Sequence, residues 1–193
     1  MIYLILSFEE IEPDQHLKEL KAILDSLVDS EVAQYQIKSD QSLEGFDFEN
    51  EESYSTFFKL FSDYANPLWR ERVCVDWDFA RVPFRRSSER IDGLLKILRT
   101  GGAYSEQYTK DAAYKIEEKI RTEIQRDAPS ILIFCIVKYK LSEDDDTVTG
   151  YIVQIKDLGH ISSFFEQLAW DDLIFIINLR YNMMYVIAFT DTD

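Results

Sequence analysis

An α+β fold is what this chain predicts, with a mainly antiparallel sheet packed by four or five helices in one domain over residues 1–193. Three observations carry that expectation. Apolar runs of strand length crowd the last third, and the final two, Leu173–Leu179 and Met183–Thr190, are separated only by Arg180, Tyr181 and Asn182. So short a connection forces antiparallel pairing. Elsewhere, apolar residues recur at helical spacing. Aromatic side chains (13 Phe, 11 Tyr and 3 Trp) are spread along the whole chain. They bury enough area to offset the entropy of ordering despite a formal charge of −15.

In chain order, Ile2–Phe8 predicts a buried strand. Pro13 and Asp14 open a helix with the stripe Leu17, Leu20, Leu24, Leu27 and Val28. Val32–Lys38 alternates and predicts a strand. The acidic stretch Ser39–Glu52 is turn-like. Tyr54, Phe57, Phe58, Phe61 and Tyr64 form an aromatic helical stripe expected to stop before Pro67. Arg72–Phe79 alternates as a strand would, with Val73, Val75 and Trp77 on its core face.

After Pro83, Ser87 or Ser88 offers a cap for a helix carrying Ile91, Leu94, Leu95 and Leu98, which Gly101 and Gly102 end. A longer helix is expected from about Ser105 to Arg126, because Tyr108, Ala112, Ile116, Ile120 and Ile124 recur every four residues. The region 131–190 then predicts strand Ile131–Lys140, acidic turn, strand Val148–Ile155, a short helix on Ile161, Phe164, Phe165 and Leu168, and the closing hairpin. Ile133, Ile176 and Val186 are its expected core positions.

Charge is uneven along the chain. Residues 1–68 hold 15 acids and 4 bases, and residues 141–193 hold 10 and 2, around a mildly basic centre. That balance argues against nucleic acid or an anionic membrane as a partner held by long-range attraction. No apolar stretch reaches the roughly 18 residues of a membrane span, and Ile2–Phe8 lacks the basic flank and cleavage site of a signal peptide. Cys74 and Cys135 both lie in strand-like runs and are expected to be reduced core thiols. A cytoplasmic location fits these features.

Chemical motifs are scarce. Asp76 and Asp78, two apart on a strand, would project carboxylates about 7 Å apart from one face, a spacing that suits a cation or an acid and base but equally a solvated sheet face. Asp144, Asp145 and Asp146 lack the glycine and terminal Glu of a calcium loop. Neither His16 nor His160 has a spaced partner for zinc, and no Gly-x-Ser-x-Gly elbow exists. Gly101 and Gly102 follow a helix and lack the Lys-Ser/Thr of a phosphate loop. No metal, cofactor or catalytic residue is therefore assigned.

Arg81, Arg85, Arg86 and Arg90 form the one concentrated basic patch, suited to gripping a phosphate or to neutralising the protein's own acids. The most suggestive segment is Asp40–Glu52. It combines Asp40, Glu44, Asp47, Glu49, Glu51 and Glu52 with Phe46 and Phe48, so that acids would steer a basic partner and exposed rings would anchor it. The same rings would otherwise seek the core.

The reading these features favour is a non-catalytic, acidic protein-binding module with a basic protein as partner. Its specific version is an immunity or antidote protein that covers the cationic site of a toxin such as a nuclease. The alternatives are a small enzyme with a motif-free site near Asp76, Asp78, Arg85 and Arg86, and a regulatory or phage-related protein that mimics DNA.

Overall fold

Side chains alternate across a strand, so each strand of the sheet offers two separate rows to whatever packs on either face. The computed structural model describes residues 5–40, 42–73, 85–86, 90–101, 107–135 and 172–190. Their strands are β1 (Leu6–Ile11), β2 (Asp29–Ser39), β3 (Arg85–Arg86), β4 (Leu132–Cys135), β5 (Asp172–Asn178) and β6 (Met183–Thr190). They form one antiparallel sheet in the order β1-β2-β6-β5-β4-β3. Four α-helices accompany it among the described residues: α1 (Gln15–Asp25), α2 (Glu51–Val73), α3 (Asp92–Thr100) and α4 (Lys110–Gln125). The fold is α+β.

Every residue of β5 and β6 is buried, because both faces of the sheet are covered. One row (Leu173, Phe175 and Ile177 with Met184, Val186 and Ala188) meets the aromatic residues of α2. The other row (Ile174 and Ile176 with Tyr185, Ile187 and Phe189) meets α1, α3 and α4. This two-sided burial explains why the final runs are continuously apolar rather than alternating. Ile133, Ile176 and Val186 occupy the core as expected.

On the first face Phe58 stands at ring-centroid distances of 5.5 Å from Phe57, 5.2 Å from Phe134 and 5.0 Å from Phe175. Phe61 lies 5.7 Å from Phe175 and 5.0 Å from Tyr35. Most of these pairs are edge-on or tilted, the arrangement that aligns ring edges with ring faces.

The second face is aliphatic and carries polar groups. Glu117 of α4 is buried and accepts hydrogen bonds from the Ile91 N–H (3.0 Å) and from Arg121 Nε (3.1 Å). Asn178 donates to the Ile124 and Gln125 carbonyls at 2.8 and 3.1 Å, so it satisfies the C-terminal end of α4. Gly93 lets α3 approach β5 closely: a Cβ there would stand 2.0 Å from Asp172 Oδ2 and 3.1 Å from Ile174 Cδ1.

The closing hairpin is present. Asn178 pairs with Met183, and Asn182 N–H reaches the Leu179 carbonyl at 3.3 Å. Asn182 takes φ 49°, a left-handed conformation that asparagine tolerates. Gly101 ends α3 with φ 65°, and α1 opens after Asp14, both as the sequence led us to expect.

Several expectations are corrected. α2 does not stop before Pro67 but continues to Val73, so Arg72 and Val73 are helical and not part of a strand. Proline removes one helical hydrogen bond, yet Leu68, Arg70, Glu71 and Arg72 are all strong helix formers, and the buried aromatic stripe holds the preceding turns in place.

β1 begins at Leu6 and runs through Glu9 and Glu10; only Phe8 in it is buried. Among the described strands it has a single neighbour, which leaves its outer residues free to be charged. α3 is capped at Ile91 without a side-chain bond, and α4 begins at Lys110 with Thr109 Oγ1 accepting the Ala112 N–H at 3.4 Å. Tyr108 consequently precedes the helix whose stripe it was expected to join. The expected elements Val148–Ile155 and 161–168, with Val75 and Trp77, lie outside the described residues.

Candidate functional site

The acidic segment from Asp40 to Glu52 crosses the aromatic face between β2 and α2. Three apolar side chains hold it down. Leu43 is fully buried, Phe48 is 4% exposed, and Phe46 is partly buried against the same cluster. Phe46 and Phe48 stack at 4.6 Å, and Phe48 reaches Phe57 at 5.2 Å and Phe134 at 6.1 Å. Of the two rings expected as interface anchors, Phe48 is therefore a core residue and Phe46 is partly buried against it. Their aromatic area finds more partners under α2 than in water.

Polar groups fix the backbone between these apolar feet. Asp40 Oδ1 accepts the Ile5 N–H at 3.2 Å. Ser42 Oγ accepts from Glu44 N at 3.3 Å and caps the single 3-10 turn Leu43–Gly45. Asp47 Oδ1 accepts from Glu49 N at 3.1 Å. Asn50 Oδ1 then accepts from Glu52 N (2.9 Å) and Ser53 N (3.3 Å) at the start of α2. A turn-like acidic stretch thus becomes an ordered strap.

With the apolar residues turned inward, Asp40, Glu44, Asp47, Glu49 and Glu52 are all exposed. Glu51 opens α2. The ion pairs among the described residues lie elsewhere. Lys18 pairs with Glu12, Lys21 with Asp25, Lys38 with Glu9, Lys119 with Glu19, Arg121 with Glu117, Arg126 with Asp14 and Arg180 with Asp127. None of these pairs among the described residues involves Asp40, Glu44, Asp47 or Glu52. Four carboxylates of one strap therefore face solvent together, with their field uncompensated by a bound cation among the described residues.

Of the basic patch, three arginines fall on described residues. Arg85 and Arg86 form β3, in register with Cys135 and Phe134, and Arg90 lies apart from them in sequence at the start of the α3 region. The Arg90 guanidinium stands over the Tyr114 ring at 4.8 Å, beside Lys110 and Asp111, around an open depression of about 360 Å³. Asp76, Asp78, Arg81, Cys74, Gly102, Asp144–Asp146 and His160 lie outside the described residues. Cys135 is buried in β4.

Among the described residues no group of three His, Cys, Asp or Glu side chains is placed to hold a metal ion. No described helix is long and apolar enough to cross a membrane.

Sequence reasoning left open whether Phe46 and Phe48 meet a partner or seek the core; Phe48 is buried and Phe46 partly so. Their spacing to Leu43 was the available signal, since Leu43, Phe46 and Phe48 recur closely enough to lie against one surface. It missed a second polar site, His16 against Tyr185, because no motif links residues so far apart in the chain.

Comparison with protein-family models, curated proteins and solved structures finds no match to this chain.

Proposed function

We propose that this protein is a non-catalytic binding module that receives a basic protein on the Asp40–Glu52 strap. The observation that carries the reading is the exposure of Asp40, Glu44, Asp47 and Glu52 without ion pairs among the described residues, on a backbone pinned by Leu43 and Phe48. A fixed strap loses little entropy when a partner docks, and its carboxylates steer a cationic surface from a distance. The partner's basic groups would supply counterions for the strap.

In its specific form the module is a cytoplasmic antidote, an immunity protein whose acidic face covers the substrate-binding cations of a toxin such as a nuclease. The chain's net charge of −15 and the concentration of acids in its first third support this version.

The test is capture of partners from source-cell lysate at low and high salt, followed by association kinetics with the native chain and with the triple variant Glu44→Gln, Asp47→Asn, Glu52→Gln. The amides keep the size of each side chain, and the amide oxygen introduced at position 47 preserves an acceptor for Glu49 N. For a basic partner, the variant should associate roughly three- to tenfold more slowly at low salt and show a flatter salt dependence. Its stability should change by less than about 0.5 kcal/mol. Unchanged association rates would remove this strap from the interface.

A further inference from the structure

The start of α1 and the end of α4 meet over β6 around polar atoms that have no partner among the described residues. His16, the second residue of α1, is half-buried, and its Nε2 is enclosed without a hydrogen bond among them. Tyr185 of β6 is fully buried, and its hydroxyl likewise has none. The two rings lie 6.2 Å apart, tilted by 50°.

Three carboxylates stand near this junction; cations and an amide hold two of them, and the third is exposed. Asp14 accepts from Gln34 Nε2 and from Arg126 Nη2, each at 3.1 Å. Glu19 accepts from Lys119 at 2.8 Å. Glu123 is exposed on α4. From the sheet the junction receives the neutral groups Gln34 and Tyr185, which are register partners on β2 and β6.

We infer that His16 is a proton-operated release for the amino-terminal turn of α1: its neutral imidazole closes the junction between α1, α4 and β6, and its protonation opens it. A charged ring there would be half-desolvated, packed against the ring of Tyr185 and without a hydrogen bond among the described residues for its buried Nε2. The balance of surrounding groups agrees. Burial holds the imidazole below its ordinary range; Asp14, Glu123 and Glu19 oppose that shift, and Arg126 adds to it.

A native imidazole that resists protonation more than the unfolded one adds no pH dependence well above the unfolded value of about 6.5. Below that value the unfolded chain takes up the proton more readily, and stability is lost as pH falls. One proton changes the unfolding constant by at most about tenfold per pH unit.

The test is denaturant unfolding of the full chain between pH 7.5 and 5.5, for the native protein and for His16→Phe and His16→Gln. The native unfolding constant should rise several-fold across this window, while both variants should lose most of that rise. In the native chain the ring signal of His16, told apart from that of His160 by a His160→Gln variant, should titrate below about 6.5. The protection of the Leu17–Leu20 amides, measured against the intrinsic exchange rate at each pH, should fall over the same range. Variants that keep the native pH dependence, or a His16 ring that titrates at or above about 6.5, would overturn the inference. The ring titration decides the matter even if neither His16 variant folds.

Discussion

The two faces of the sheet are built from different materials. Under α2 the core is a set of stacked rings (Phe8, Phe57, Phe58, Phe61, Phe134 and Phe175) with apolar β-strand residues between them. Under α1, α3 and α4 it is aliphatic, and it is on this side that Gln34, Glu117, Asn178 and Tyr185 are buried. α3 of the same layer also carries the buried cations Lys96 and Arg99. A face of packed rings gains stability in proportion to the area it buries, and its ring pairs favour edge-on and offset contacts. A face with internal hydrogen bonds holds its helices in one place, because any slip leaves a buried polar group unpaired. One side of this protein is therefore held mainly by packed rings, and the other combines an aliphatic core with buried hydrogen bonds.

The division between the faces is challenged hardest by removing a ring. Phe58 is fully buried and touches three other rings, so Phe58→Ala should cost about 3–5 kcal/mol. Urea unfolding would show it as a large drop in midpoint at unchanged slope. A loss below about 1.5 kcal/mol, the size expected for a volume-conserving swap, would mean that the aromatic face is loosely packed and that cohesion lies elsewhere.

The next perturbation is polar. Glu117→Ala removes the acceptor for the Ile91 N–H at the start of α3 and for Arg121. It should cost roughly 1–3 kcal/mol, because a buried donor is left unmade. Glu117→Gln keeps an acceptor oxygen and should recover about half of that loss. Equal losses for Ala and Gln would show that the carboxylate acts through its charge, and a loss exceeding that of Phe58→Ala would invert the division between the two faces.

Legibility in the sequence follows the same division. Where burial alone decides, the pattern was readable: the hairpin of β5 and β6, Leu17, Leu20 and Leu24 of α1 and the aromatic stripe of α2 lie where spacing put them, although α1 ends at Asp25 and leaves Leu27 and Val28 of its expected stripe buried in the turn that follows. Where a tertiary contact overrides a local signal, it was not. Pro67 signals a helix end, yet α2 runs on to Val73. Phe46 and Phe48 sit among acids that suggest exposure, yet both pack on the aromatic cluster under α2, Phe48 buried and Phe46 partly so.

The polar side was the least legible. Glu117 and Ile91 meet across 26 positions, and Asn178 and Ile124 across 54. No local pattern encodes such pairs. The acids of the strap were visible as residues, but their presentation depended on Leu43, Phe46 and Phe48 turning inward, which only packing reveals.

The smallest perturbation should have the opposite sign. Tyr185 lies on the polar side, but unlike Glu117 and Asn178 its hydroxyl has no partner among the described residues. Burial pushes that hydroxyl up to about 12, with Asp14 adding to the shift and Arg126 opposing it, so the group is neutral at any physiological pH and carries no charge that a neighbour could use. Tyr185→Phe keeps the ring against His16 and removes only the desolvated oxygen. Native stability should therefore rise by about 1–1.5 kcal/mol, the lower part of the cost of burying an unpaired polar group. A higher denaturation midpoint at unchanged slope would record it. A loss of more than about 1 kcal/mol, the usual net worth of one hydrogen bond, would show that the hydroxyl is bonded in solution. The polar side would then be satisfied at this corner too, whereas a gain would set the Tyr185 corner apart from the Glu117 corner as a place where stability has been given up.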